Sequence, residues 1–137
     1  MTPRPLSKSD SASLEILVRG LVDPCEEDGP SSRRIGESDG VFMPLVVERL
    51  GPVTYALTHY YKQNGDMMRD PDVEFFRDSE GRWFPIRFRQ DGGVPMAYKV
   101  IEIGPAGIEA VYRQRYTSLR EFVRVWLANL REQHGIV

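Results

Sequence analysis

The spacing of apolar positions changes along the chain, and each change marks an element. In SDSASLEILVRGL, residues 9–21, Leu14, Leu17, Val18 and Leu21 recur at helical spacing. Ser and Asp stand upstream to cap the start, and Gly20 weakens or ends the run. A short helix is predicted. VDPCEEDGPSSRRIGESDG, residues 22–40, has no period and is rich in Pro, Gly, Ser and acids. A loop this long is unusual in a compact domain, so it reads as a flexible insertion or a partner-binding segment.

From residue 41 the texture is that of strands. VFMPLVVERL and PVTYALTHYYK, parted at Gly51-Pro52, predict a hairpin. QNGDMMRDP is the next break, with Asn64-Gly65 as its turn signal. VEFFRD is a third strand, WFPIRFRQ a fourth and PMAYKVIEI a fifth, with GPAG and IEAVYRQRY giving a turn and a sixth. Consecutive strands with short connections make an antiparallel meander. In TSLREFVRVWLANLREQHG, Leu119, Phe122, Val123, Trp126, Leu127 and Leu130 share one helical face, and Arg120, Arg124, Asn129 and Arg131 the other. Ser118 and Glu121 have capping-box spacing, and Gly135 stops the helix. The fold expected is α+β: a five- to six-stranded antiparallel meander sheet with an N-terminal helix and a long C-terminal amphipathic helix on one face. One domain accounts for all 137 residues: a flexible tail over 1–8, the acidic loop over 22–40, the sheet over 41–114 and the last helix over 117–134.

Charge refines this picture. Residues 1–81 hold nine Lys and Arg against fifteen Asp and Glu, a balance of −6; residues 82–137 hold nine against five, +4, which together give the chain's −2. The two parts pair internally or present different faces. No overall basic excess calls for nucleic acid. Cys25 is the only cysteine, so no intrachain disulfide forms. Its neighbours in DPCEEDGP are acids, the wrong setting for a nucleophilic thiol. The opening MTPRPLSKSD lacks the apolar core of a signal peptide and no run has the length of a membrane span, so a cytoplasmic protein is expected.

HYYKQNGDMMRDPDVEFF, residues 59–76, gathers a histidine, two tyrosines and four carboxylates. Strand alternation puts Val53, Tyr55, Leu57, His59 and Tyr61 on one face, with His59 half buried against a neighbouring hydroxyl or carbonyl. Asp66, Asp70 and Asp72 do not fit a calcium-loop spacing and read as solvated turn acids. P-loop, dinucleotide fingerprint, nucleophile elbow and HExxH are all missing from the sequence, so no catalytic residue, metal or cofactor is assigned. In the fourth strand Phe84, Ile86 and Phe88 are core, while Trp83, Pro85, Arg87 and Arg89 share the outward face. An outward Trp with two Arg suits a protein interface, or less well a single-stranded nucleic acid, or a plain sheet surface.

The motif H-Y-Y-x-Q-N-G-D at His59–Asp66, then Asp70-Pro71-Asp72, Trp83-Phe84-Pro85 through Gln90-Asp91, and Phe122, Trp126, Asn129-Leu130 and Gln133 resemble an uncharacterised domain family of small bacterial proteins. Its members are often carried on plasmids and integrating conjugative elements. The likeness covers about residues 53–135, with His134 a small departure between Gln133 and Gly135. It implies a mobile-element accessory role and supplies no activity. The leading expectation is a non-enzymatic protein that binds another protein, through Trp83, Arg87 and Arg89, with His59, Tyr61, Asp66 and Asp72 as a further candidate surface. The rivals are a nucleic-acid module that adds Arg120, Arg124 and Arg131, and a hydrolytic or metal-dependent site at His59 and Asp66.

Overall fold

A computed structural model of the protein describes residues 2–36 and 43–135. The last part of the expected loop, 37–40, and the start of the first expected strand, 41–42, lie outside the described residues. Helix α1 (Lys8–Val18) starts where Ser7 accepts a hydrogen bond from the Asp10 amide at 3.2 Å. It buries Leu14, Leu17 and Val18. A six-stranded antiparallel sheet follows in the order β1 (Ser32–Ile35), β2 (Leu45–Arg49), β3 (Thr54–Gln63), β4 (Asp66–Arg77), β5 (Trp83–Gln90) and β6 (Met96–Lys99). A separate hairpin, β7 (Ile101–Gly104) with β8 (Gly107–Val111), leads into helix α2 (Arg113–His134).

The meander is therefore present, with three differences in its making. First, the sixth sheet strand comes from the expected loop. β1 pairs with β2, and the Arg33 guanidinium donates to the carbonyls of Leu17 and Arg19, at 2.6 and 2.5 Å, at the end of α1. Those carbonyls have no partner within the helix, so the strand and the cap support each other. Second, QNGDMMRDP is not a break. Asn64 and Gly65 both have positive φ, 54° and 86°, and form a two-residue turn from which β4 runs back at once. Third, the expected fifth strand divides at Val100. Its amide donates to the Ile86 carbonyl and its carbonyl accepts from the Tyr112 amide, so the chain leaves the sheet there.

The helices lie on one face. Leu45, Val47, Leu57, Val73, Phe75 and Phe88 of the sheet pack in one core with Leu14 and Leu17 of α1 and Leu119, Val123, Leu127 and Leu130 of α2. Burying this apolar set is the main drive of the fold, at roughly 1.5–3 kcal/mol per large side chain. Helix α2 begins four residues before the expected 117, and six before the start that a cap at Ser118 would give. Its N-cap is Tyr112, without a side-chain cap, and its first turn holds Arg113 and Arg115 but no acid. Phe122, expected in the buried stripe, is 40% exposed and meets Phe88 edge-on at 5.6 Å. The N-terminal segment, expected as a loose tail, is tied to the core. Leu6 is buried, its amide donates to the Trp83 carbonyl at 2.9 Å, and Arg120 donates to the Pro5 carbonyl at 2.9 Å. Among the described residues no helix is long and apolar enough to cross a membrane.

Candidate functional site

Register decides which sequence-predicted residues meet. Directly paired residues of antiparallel strands share a face. Leu57 pairs with Val73 and Val47, which fixes the helix face; Thr58 pairs with Asp72 and Val46, which fixes the other. On that second face Asp72 stands opposite Arg89, and Glu74 opposite Arg87, which stands opposite Lys99. Glu48 joins through its pairing with Ala56, itself paired with Glu74. The result is a two-row lattice of acids and bases across five strands. The matched i, i+2 charges of DVE and RFR were the sequence signal for it. Only their register was missing.

The pairs within the lattice are loose. Arg87 Nε is 3.7 Å from Glu74 Oε2, and Arg69 Nη1 is 3.9 Å from Asp72 Oδ2. Arg89 and Arg69 are held by Asp91 instead, at 2.9 and 3.4 Å. The side chains of Arg87 and Arg89 remain 47% and 45% exposed, so their donors reach solvent. Asp72 is largely buried at its base, where Thr58 donates from Oγ1 to Oδ1 at 3.1 Å. Loss of hydration pushes its carboxyl above the usual aspartate range, against the opposing pull of Thr58, Arg69 and Arg89. Burial pushes Glu74 up as well, against Arg87. Tyr60 beside them is raised by burial and by Glu48 and Asp72. Asp91 is held below its usual range by the Arg69 amide and the Arg89 side chain. Glu48, Thr58, Arg69 and Lys99 were not singled out in the sequence, and Tyr60, Glu74 and Asp91 stood in the quoted segments without being assigned to a site. The Thr58 hydroxyl that donates to Asp72 is buried, with 1% exposure, so it is not presented at the surface of the lattice. The lattice offers guanidinium donors and carboxylate acceptors to another surface.

The remaining candidates lie elsewhere. Trp83 is not outward. It is fully buried, its ring centroid is 4.9 Å from that of Tyr55, and its Nε1 donates to Glu15 Oε2 at 2.8 Å, beside Arg77 at 2.7 Å. The cause is a bulge. Glu74 pairs with Arg87 but Phe75 pairs with Pro85, so Ile86 is an extra residue and the alternation reverses beyond it. Trp83 and Pro85 turn to the helix face. Phe84 turns to the other and stacks on Phe76 with centroids 6.1 Å apart, where Ile103 and Ile108 of the β7–β8 hairpin share a cavity wall with them.

His59 is buried rather than half buried, with 6% exposure, under α2 on the helix face. It meets Trp126 edge-on at 5.5 Å, and neither its Nε2 nor Trp126 Nε1 has a hydrogen-bond partner among the described residues. Burial, aided by repulsion from His134, lowers its pKa to about 4. Asp66 is exposed beside the turn at the far end of the hairpin, roughly 13 Å along the strand from His59. The two do not form a site. Tyr61 places its hydroxyl where a Cβ on the buried Gly92 would stand, next to the Asp70 carboxylate. Among the described residues no group of three or more His, Cys, Asp or Glu has the arrangement to hold a metal ion. Of the arginines on the last helix, Arg131 donates to Asp10 and Ser13 of α1, Arg120 to Pro5, and Arg124 to Glu121.

The family model described as a domain of unknown function (DUF6908) matches residues 22–136. No curated protein and no solved structure matches the chain.

Proposed function

We propose that this chain, which belongs to the family of the domain of unknown function DUF6908, is a non-enzymatic accessory protein that binds another protein through the sheet face opposite its helices. The observation that carries this reading is the lattice of Asp72, Glu74, Arg87 and Arg89, in which both guanidinium groups are exposed, Arg87 lies at 3.7 Å from Glu74, and Arg89 is held by Asp91 rather than by Asp72. Ion pairs near 3.7–3.9 Å with solvent at hand contribute little to stability, so their members exchange partners at small cost. Arginine is enriched at protein interfaces and gives directed, bidentate contacts to carboxylates. Asp72 and Glu74, shifted upward by lost hydration beside arginines, are of the kind that clusters at functional surfaces. The partner that fits is a protein with a mixed-charge surface, carboxylates over Arg87 and Arg89 and donors over Asp72 and Glu74.

The setting we infer, from the family likeness carried by His59–Asp66 and Trp83–Asp91, is a bacterial cytoplasm and a mobile genetic element. There a small binder serves element maintenance or inhibits a host defence. The nucleic-acid reading has less support, because Arg124 and Arg131 are ion-paired within the protein, and all three arginines, Arg120 included, belong to α2, on the other side of the sheet from Arg87 and Arg89. Co-purification of the tagged protein from a bacterial host, with and without nuclease, tests the choice. A stoichiometric protein retained after nuclease supports the protein binder. Material released by nuclease, bound with an affinity that falls steeply with salt, overturns it in favour of the nucleic-acid module.

A further inference from the structure

A second charged feature lies apart from the sheet lattice and is independent of the function proposed above. The N-terminal segment lies along the first turns of α2, fixed there by the Arg120 side chain on the Pro5 carbonyl and by the Tyr116 hydroxyl on the Arg4 carbonyl. Between the two runs a half-open cavity of about 440 Å³, lined in part by exposed side chains. Its charged lining is Arg4, Arg113, Arg120 and Glu121; its apolar lining includes Pro3, Val111 and the Tyr116 ring. Arg4 and Arg113 have no ion pair among the described residues, and Arg120 is bound only to a backbone carbonyl. The single acid, Glu121, is held by two bonds from Arg124, at 2.9 and 2.5 Å. The lining thus carries +2 in a chain whose net charge is −2. Arg113 also stands where a helix favours an acid, so helix stability does not account for it.

We propose that this cavity binds the phosphate group of a small phosphomonoester, with Arg4, Arg113 and Arg120 as its ligands and Pro3, Val111 and Tyr116 against the organic part. One guanidinium fork is enough for a carboxylate, whereas three match a dianion with three acceptor oxygens. The volume is that of a small-molecule site and far exceeds one phosphate group. A long nucleic acid would call for a basic track beyond the cavity, and Glu121 and the Arg124 pair border it instead.

The test is a two-dimensional amide NMR titration of the full chain with adenosine 5′-monophosphate, inorganic phosphate, adenosine and a single-stranded oligonucleotide. The expected result is saturable shifts centred on Arg113–Arg120 with the monophosphate or with inorganic phosphate, and none with adenosine. Arg113→Gln, an exposed position whose loss leaves the fold intact, weakens the affinity about tenfold or more, the loss of a charge-assisted bond. Arg4→Gln does the same, and Lys62→Gln, an equal charge change at the far hairpin, does not. The proposal is overturned if neither phosphate probe saturates, if the shifts lie elsewhere, if Arg113→Gln and Arg4→Gln bind as the wild type does, or if only the oligonucleotide binds.

Discussion

Asp72 sits in a place that disfavours its charge, since burial holds its carboxyl above the usual range. The folded state therefore prefers the protonated form more than the unfolded chain does, and the charge costs stability at pH 7. Asp72→Asn is expected to leave thermal stability unchanged or slightly raised while partner binding is lost; calorimetry beside a binding assay reads both. His59 titrates with the opposite linkage. Its folded pKa, about 4, lies below its ordinary 6.5, so the unfolded state takes up the proton first. Stability is full above pH 6.5 and falls through the window down to pH 4, by roughly 2–3 kcal/mol from this group. His59→Phe should flatten that acid limb in urea melts taken across the window, and an unchanged limb would exclude His59 as its source. Trp83 behaves as core. Trp83→Ala should cost about 3–5 kcal/mol, whereas Arg87→Ala and Arg89→Ala should each stay within about 0.5 kcal/mol, as denaturant midpoints would show.

At the scale of elements, what was legible followed from unbroken periodicity. The α2 stripe other than Phe122, the α1 run, and the strand segments 45–49, 54–61, 73–77 and 83–90 are where alternation or helical spacing put them. What was not legible came from one-residue shifts. The extra residue Ile86 reverses the faces of Trp83 and Phe84, so counting in twos through WFPIRFRQ gives the right answer at Arg87 and Arg89 and the wrong one at Trp83. A second irregularity between Thr58 and Tyr60 lies where β4 carries the cis Asp70–Pro71 bond. The strand β1 was hidden because its stability is not its own: SRRI pairs with β2 and caps α1 through Arg33, contacts that no local propensity reports. The lattice was half visible, since the charges of β4 and β5 are written in the sequence but their pairing depends on register. The Asn64-Gly65 turn gives a clean test of the hairpin. A Cβ on Gly65 would meet nothing within 4 Å, so Gly65→Ala carries only the strain of positive φ, about 1–2 kcal/mol, and a loss near zero in thermal melts would mean that the turn relaxes to another type.

The whole molecule is two layers with unequal faces. One sheet face is closed by α1 and α2 over a continuous apolar core, and the other keeps its charges at the surface, with the β7–β8 hairpin over one end. The charge imbalance along the sequence is partly resolved inside this arrangement, where Asp10 meets Arg131 and Glu74 meets Arg87 across the two parts of the chain. Arg87 and Arg89 on the sheet keep exposed guanidinium groups, and Arg4 and Arg113 beside α2 have no ion pair among the described residues, so the proposed docking face and the proposed anion site lie apart. The most direct test of the docking face is quantitative co-purification of wild type and the Asp72→Asn/Arg87→Ala/Arg89→Ala variant, after nuclease, with the melting temperature of each measured alongside. The expected result is one protein held stoichiometrically by the wild type and lost from a variant that melts at the same temperature or above. A partner held equally by both, or a wild type that comes out alone, would contradict the assignment of that face.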